Sequence, residues 1–178
     1  RVFALSLGLG RRVALTVHDL RVLRLAAAFH DVGKIGIPDR ILRKRGAFND
    51  QDWAILRTHP AKSERLIRAS QVEDADVIAL AVRHHHERWD GSGYPEGLRG
   101  EQIPLLGRLL CVADFYDALT SARPYRAALS PEETIALLRE GSGTQFDTRI
   151  VEAVTRLHER KDLLPTDWEE LLPLSGTA

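Results

Sequence analysis

The sequence has 178 residues, and its 25 lysines and arginines balance 25 aspartates and glutamates, so the formal net charge is zero. This length suffices for one domain with a hydrophobic core. A neutral chain lacks the broad basic field that nucleic-acid or membrane-surface binders need. The single cysteine, Cys111, excludes an internal disulfide and a thiolate metal cluster.

The longest apolar runs, at 25–29 and 77–82, are far shorter than a membrane span, and no secretory signal is visible. We therefore expect a cytoplasmic protein.

Apolar residues recur with helical spacing almost throughout the chain, and strand-like alternation is scarce. The sequence therefore predicts an all-α fold, a single bundle of about eight helices. The first helix is expected to end at Gly8 or Gly10. The predicted helices lie at 1–9, 17–31, 39–44, 49–70, 72–88, 104–121, 131–141, 148–160 and, more briefly, 166–172.

Caps and prolines define several helix boundaries. Asn49 is a favourable N-cap for the helix 49–70, and Pro60 inside that helix is expected to kink it. The segment 130–133, Ser-Pro-Glu-Glu, is a capping box with proline at the first helical position. Asp147 is expected to cap the helix that follows it.

Six imidazole and carboxylate groups fall where predicted helices end or bend, or inside an apolar segment. They are His30, Asp31, His59, His85, His86 and Asp114. Asp114 is the sharpest signal, because an unpaired carboxylate among apolar residues is unfavourable unless a cation compensates it. Nitrogen and oxygen ligands suit iron, manganese or zinc, and six donors exceed the need of one tetrahedral ion. We therefore expect at least two metals, a pair that can activate a bridging water for phosphoryl displacement.

Each group also has a purely structural interpretation. His30-Asp31 can be an ion pair at a helix C-terminus, and the histidines at 84–86 can be a surface run. His18 and His158 are expected to be structural or solvated. Asp117, one helical turn after Asp114, is expected to support the site or face solvent.

Four sequence blocks follow one another in a specific order and spacing: FHDVGKIGIPDRIL at 29–42, THP at 58–60, HHERWDGSGYPEGLRGEQIP at 85–104 and RLLCVADFYDALTSARPYR at 108–126. With these blocks the chain resembles the HD-GYP domain, a subgroup of the HD metal-dependent phosphohydrolases. The resemblance extends from residue 1 to residue 147. It implies an all-helical phosphodiesterase that hydrolyses cyclic di-GMP to pGpG through a metal-bridging hydroxide, with a second cleavage to GMP left open.

The resemblance also implies roles for individual residues. The implied metal ligands are His30, Asp31, His59, His85, His86 and Asp114, while His84 is a neighbour. Asp31 would bridge two divalent ions, iron or manganese, with zinc or nickel as alternatives. Lys34 would hold the substrate phosphate beside the metals, and Tyr94 of the Gly-Tyr-Pro signature would pack near the nucleotide. Arg123 and Arg126 would contact substrate phosphate.

Members of this family with three metals carry a glutamate and a histidine upstream of the Arg-Val that opens this chain, so the resemblance implies two metals here and leaves a third open. We expect residues 1–178 to form one HD-GYP domain that lacks its first helix turns and any upstream sensory or receiver domain. The implied partners are cyclic di-GMP, diguanylate cyclase-type or receiver-domain proteins and a second copy of the chain, with no nucleic-acid polymer and no membrane.

Two alternatives stay open. The first is a phosphohydrolase for another cyclic dinucleotide or a nucleoside phosphate. The second is a nucleotide-binding or signalling module with weak or no hydrolysis.

Overall fold

The structure is a computed structural model that describes residues 1–122 and 127–163. These residues form nine α-helices, two short 3₁₀ helices and no β-sheet, with only two isolated β-bridges. The α-helices are α1 (Val2–Arg12), α2 (Val17–Phe29), α3 (Asp39–Leu42), α4 (Asp50–Leu56), α5 (His59–Ala69), α6 (Ala75–Arg83), α7 (Leu105–Thr120), α8 (Pro131–Glu140) and α9 (Thr148–Glu159). The predicted all-α fold is confirmed.

Helix α7 is the central helix of the bundle, because it packs against α1, α2, α6, α8 and α9. Leu109, Leu110, Val112 and Ala113 are all buried in the core, so α7 is covered on more than one face, as expected of an interior helix. Helix α5 packs on α6 and on the 3₁₀ helix Val32–Gly36. Through the contacts of α2 and α6 with α7 and of α5 with α6, the segments that carry the histidines come together.

Side-chain caps begin four of the helices, and three of them were predicted. Asn49 and Ser130 each form a capping box, with Asp52 and Glu133 respectively. Asp147 accepts a hydrogen bond from the backbone N–H of Arg149 at the start of α9. These predictions are confirmed because a cap depends on residues within one turn of each other.

The first helix does not end at Gly8 or Gly10 but continues to Arg12, so that prediction is wrong. Both glycines are buried in α1. A Cβ atom on Gly10 would lie 2.8 Å from Leu20 Cδ2 on α2. Gly10 therefore allows the close approach of α1 and α2, and it does not act as a helix stop.

The predicted kinked helix 49–70 is instead two helices. Helix α4 ends at Leu56 and α5 begins at His59, with Pro60 in the first turn of α5. A first-turn proline lacks only an N–H that has no partner within the helix, so it starts a helix as readily as it kinks one.

The helix predicted over 72–88 ends earlier, at Arg83, and the three histidines at 84–86 lie in the turn after it. The short helix predicted at 166–172 lies outside the described residues. Among the residues that the structure describes, no helix has the length and apolar character needed to cross a membrane.

Candidate metal centre

Three of the predicted ligands, His30, His59 and His85, share one local geometry. Each ring nitrogen Nδ1 donates a hydrogen bond to the backbone carbonyl three residues earlier, since a carbonyl can only accept. The acceptors are Ala27 O at 2.8 Å, Leu56 O at 2.8 Å and Val82 O at 2.5 Å, respectively. These bonds fix the tautomer, so the lone pair of each Nε2 is available to a metal ion.

Asp31 lies between two groups of side chains, His30 with Asp114 in the first and the imidazoles of His59, His85 and His86 in the second. Its Oδ1 is 3.2 Å from His59 Nε2, and its Oδ2 is 3.5 Å from His30 Nε2. On the far side of His30, Asp114 Oδ1 is 3.6 Å from the same Nε2. The carboxylate of Asp31 therefore faces both halves of the cluster.

The second group is made of imidazoles. The Nε2 atoms of His59 and His86 are 3.2 Å apart, and the ring centroids of His85 and His86 are 3.9 Å apart. His59, His85 and His86 each offer one ligand atom, and these atoms all lie within 4.8 Å of one another. Such a cluster can hold a metal ion.

Two atoms of the cluster show that its donors fit a cation. Within the described residues, His85 Nε2 and Asp31 Oδ1 are buried and make no hydrogen bond. Buried polar atoms without a partner are unfavourable, and a divalent ion between them would satisfy both. Imidazole nitrogens with carboxylate oxygens suit a transition metal better than calcium.

The protonation states of the clustered side chains also suit metal binding. Burial, together with the charge of His30, lowers the pKa of His85 to about 4, and burial also lowers the pKa of His86. Burial opposes ionisation of Asp31, but the close contact with His59 and the charge of His30 hold the pKa of Asp31 well below its usual range. Neutral imidazoles and an ionised carboxylate are the forms that bind metal.

His30 differs from the other histidines. Burial disfavours its protonated form, but the neighbouring carboxylates of Asp114 and Asp31 outweigh burial and raise the pKa of His30. Asp114 itself is less enclosed than its apolar sequence suggests, since 29% of its side chain is exposed. Its neighbours Val112 and Ala113 are buried, so Asp114 is the partly exposed polar residue of an otherwise apolar stretch of α7.

Ser63 connects the two histidine-bearing segments, and sequence reasoning missed it. Its hydroxyl accepts a hydrogen bond from Gly33 N–H at 2.7 Å and donates one to His30 O at 2.9 Å. A Cβ atom on Gly33 would lie only 2.2 Å from His59 O, so this close approach requires glycine. Nothing in the sequence around Ser63 distinguishes it from an ordinary helix serine.

Glu87, also missed, organises the loop that follows the histidines. Its buried carboxylate accepts hydrogen bonds from the backbone N–H groups of Glu96 at 2.8 Å and Leu98 at 3.1 Å. In the same loop Tyr94 stacks on His86, with ring centroids 5.0 Å apart and planes at 30°. An acidic residue placed between a histidine run and a glycine-rich loop was the signal that could have indicated Glu87.

The remaining predicted site residues have varied positions. Lys34 lies beside the cluster, with its Nζ 2.6 Å from Asp31 Oδ2. Asp117 contacts Arg1 Nε at 3.3 Å and Ser121 Oγ at 3.1 Å, and neither of these residues belongs to the cluster. Arg123 and Arg126 lie outside the described residues.

Comparison with known proteins finds relatives that are named as phosphodiesterases of cyclic dinucleotides. The chain is 43% identical over 145 residues to the cyclic di-GMP phosphodiesterase response regulator RpfG of Xanthomonas campestris, covering 82% of this chain and 38% of that protein. It is 44% identical over 154 residues to a cyclic di-GMP phosphodiesterase of Vibrio cholerae, covering 82% of this chain and 31% of that protein. A 3′3′-cGAMP-specific phosphodiesterase of Vibrio cholerae is 34% identical, covering 92% and 34%. The chain thus spans about a third of the length of these relatives.

Two solved structures share the fold. A cyclic GMP-AMP-specific phosphodiesterase of Vibrio cholerae aligns with a TM-score of 0.73 at 21% identity, over 96% of this chain and 45% of that one. An HDG"Y"P protein from Bdellovibrio bacteriovorus aligns with a TM-score of 0.70 at 20% identity, over 89% and 50%. A family profile described as HD domain matches residues 1–150. The chain belongs to the HD domain family, in its HD-GYP subgroup.

Proposed function

We propose that this chain is a metal-dependent phosphodiesterase that hydrolyses cyclic di-GMP to pGpG, and that two divalent transition metal ions, iron or manganese, occupy its histidine–aspartate cluster. The observation that carries the proposal is the position of Asp31 between His30 and His59, next to buried donor atoms that have no hydrogen-bond partner. Relatives of more than 40% identity named cyclic di-GMP phosphodiesterases support the substrate. A cytoplasmic location belongs to the same proposal.

The proposed ligands are His30, Asp31, His59, His85, His86 and Asp114. When bound there, divalent ions supply Lewis acidity and lower the pKa of a water molecule towards neutrality. Asp31 offers one oxygen to each half of the cluster, so it is suited to bridging two ions. The carbonyl bonds of the histidines hold the rings in one orientation, which spares the site reorganisation during the reaction.

Lys34 is proposed to stabilise charge at the substrate phosphate. Its ammonium group pairs with Asp31 Oδ2 and is 38% exposed, so it can contact both the carboxylate and an incoming anion. Arg123 and Arg126 are proposed to bind phosphate on the strength of their place in the fourth sequence block. Tyr94, stacked on His86, would form one wall beside the nucleotide.

A second substrate is favoured by one observation. A relative specific for 3′3′-cGAMP is 34% identical to this chain over 163 residues. Both cyclic dinucleotides carry the same phosphodiester linkage type and at least one guanine, so the metal chemistry would be common to both.

The proposal is tested by metal analysis combined with product chromatography. Protein purified without oxygen should contain about two equivalents of transition metal and should convert cyclic di-GMP faster than 3′3′-cGAMP. Asp31→Asn should lose both metal and turnover, whereas Asp39→Asn, at an aspartate whose side chain is 75% exposed, should keep both. Hydrolysis by metal-free protein would refute the mechanism. If the protein hydrolyses 3′3′-cGAMP but not cyclic di-GMP, 3′3′-cGAMP is the substrate instead.

A further inference from the structure

An arginine side chain beside the cluster contacts two aromatic rings from different segments. Arg57 is the residue after α4, and its guanidinium carbon lies 5.7 Å from the Trp53 ring centroid and 5.4 Å from the Tyr94 ring centroid. Cation–π contacts of this kind fix the position of a side chain that would otherwise be mobile. Arg57 is nevertheless exposed.

Within residues 1–122 and 127–163, no carboxylate lies within ion-pair distance of the Arg57 guanidinium, and no acceptor takes a hydrogen bond from it. Other arginines near the site differ in this respect. Arg83 pairs with Glu64 and Glu96, and Arg108 pairs with Asp147. The donors of Arg57 therefore remain available for a ligand.

The position of Arg57 indicates which part of a bound nucleotide it would contact. The ring of Tyr94 connects Arg57 with the cluster, because it stacks on His86 and its centroid lies 5.4 Å from the Arg57 guanidinium carbon. The ring contacts of Arg57 are with Trp53 and Tyr94 and not with the histidines of the cluster. Arg57 is thus next to the ring that borders the cluster, where we place the base of a nucleotide whose phosphate is held at the metals.

We propose that Arg57 binds the guanine base of the substrate and so determines base specificity, an inference that rests on the proposed function. Guanine presents two acceptors, O6 and N7, on one edge, and an arginine fork binds both at once. Adenine presents a donor at the position of O6, which the fork cannot bind. Trp53, with 44% of its surface exposed, offers a flat face on which a base can stack.

The test compares Arg57→Met and Arg57→Lys with the wild-type protein on cyclic di-GMP and cyclic di-AMP. The quantity measured is the ratio of the two kcat/KM values, or of the two Kd values from calorimetry where turnover is too slow. Any general disturbance of Tyr94 affects both substrates and cancels in the ratio. Both variants should lower the preference for cyclic di-GMP by about 10- to 100-fold. Arg156→Met, at an exposed arginine on α9, should leave the preference unchanged.

Two results would overturn the inference. A ratio that is unchanged in Arg57→Met, with or without equal losses on both substrates, would mean that Arg57 does not distinguish the bases. Recovery of the preference by Arg57→Lys would mean that a positive charge suffices and that the arginine fork is not required.

Hydrolysis of bis(p-nitrophenyl) phosphate, which has no base, separates this inference from the proposed function. If wild-type protein hydrolyses this ester but neither cyclic dinucleotide, the proposed substrate is wrong, and the calorimetric Kd ratio still tests Arg57. If wild-type protein binds neither dinucleotide, both proposals fail.

Discussion

Glu87 is a buried charge whose partners are mostly backbone groups. Its two carboxylate oxygens accept from two N–H groups of the loop 88–99, and His84 Nδ1 lies 3.5 Å from Oε1. Hydrogen bonds to an ionised acceptor are stronger than neutral ones. Glu87 thus holds the loop that presents Tyr94 to the metal centre.

Replacing Glu87 by glutamine should destabilise the protein. The amide NH₂ group would take the place of one carboxylate oxygen, so one of the two backbone N–H groups would lose its acceptor. We expect a loss of about 2 kcal/mol in the free energy of unfolding, measured by urea denaturation. Glu101→Gln, at a glutamate whose side chain is 73% exposed, is the control and should change the free energy by less than about 0.5 kcal/mol. Equal effects of the two substitutions would show that the loop does not depend on Glu87.

The start of helix α9 combines a cap with an ion pair to another helix. Asp147 Oδ1 accepts from the Arg149 N–H at 2.9 Å, while Oδ2 is 2.6 Å from Arg108 Nη1 on α7. Both side chains of the Asp147–Arg108 pair are almost fully buried. Burial opposes ionisation of Asp147, but the contacts with Arg149 and Arg108 outweigh it and lower the pKa of Asp147.

Asp147→Asn should keep a capping oxygen but leave Arg108 buried without its counter-charge, at a cost of about 3 kcal/mol. The folded-state pKa of Asp147 lies below the unfolded value, so its contribution is present above about pH 4 and is lost as the pH falls towards the folded-state pKa. The difference in unfolding free energy between wild type and variant should therefore narrow below about pH 4. A difference that stays constant from pH 7 to pH 3 would contradict this explanation.

The helices were predictable where their boundaries depend on neighbouring residues. Asn49, Ser130 and Asp147 cap helices because each lies within one turn of the N–H that it accepts. The predictions based on Gly10 and Pro60 were wrong because each residue is compatible with two local structures. Which of the two forms depends on packing in the folded protein. Gly10 makes room for α2, and Pro60 belongs to the first turn of a new helix.

For the molecule as a whole, sequence reasoning singled out the histidines and aspartates that lie together in the structure, but not the residues that position them. Histidines and aspartates at helix ends are unusual enough to be noticed from their chemistry alone. Ser63 contacts His30 across 33 residues of sequence, and such a contact exists only once the chain has folded. Arg57 was missed for the same reason, since Tyr94 comes from a distant loop.

Metal binding should stabilise the entire domain, because the donors come from several helices. With Mn²⁺ at about 100 times its Kd, the melting temperature should rise by about 5–10 °C. His85→Ala should remove most of this rise, whereas His18→Ala, at an exposed histidine, should retain it. Calorimetry with and without metal measures the shift, and a full rise in the His85→Ala protein would exclude His85 as a ligand.

The hydrogen bonds from His30, His59 and His85 to carbonyls have a consequence for protein engineering. The acceptors at positions 27, 56 and 82 are peptide oxygens, which every amino acid supplies. The orientation of the three imidazoles therefore depends on the path of the main chain, and a substitution at positions 27, 56 or 82 that leaves that path unchanged leaves the acceptor in place.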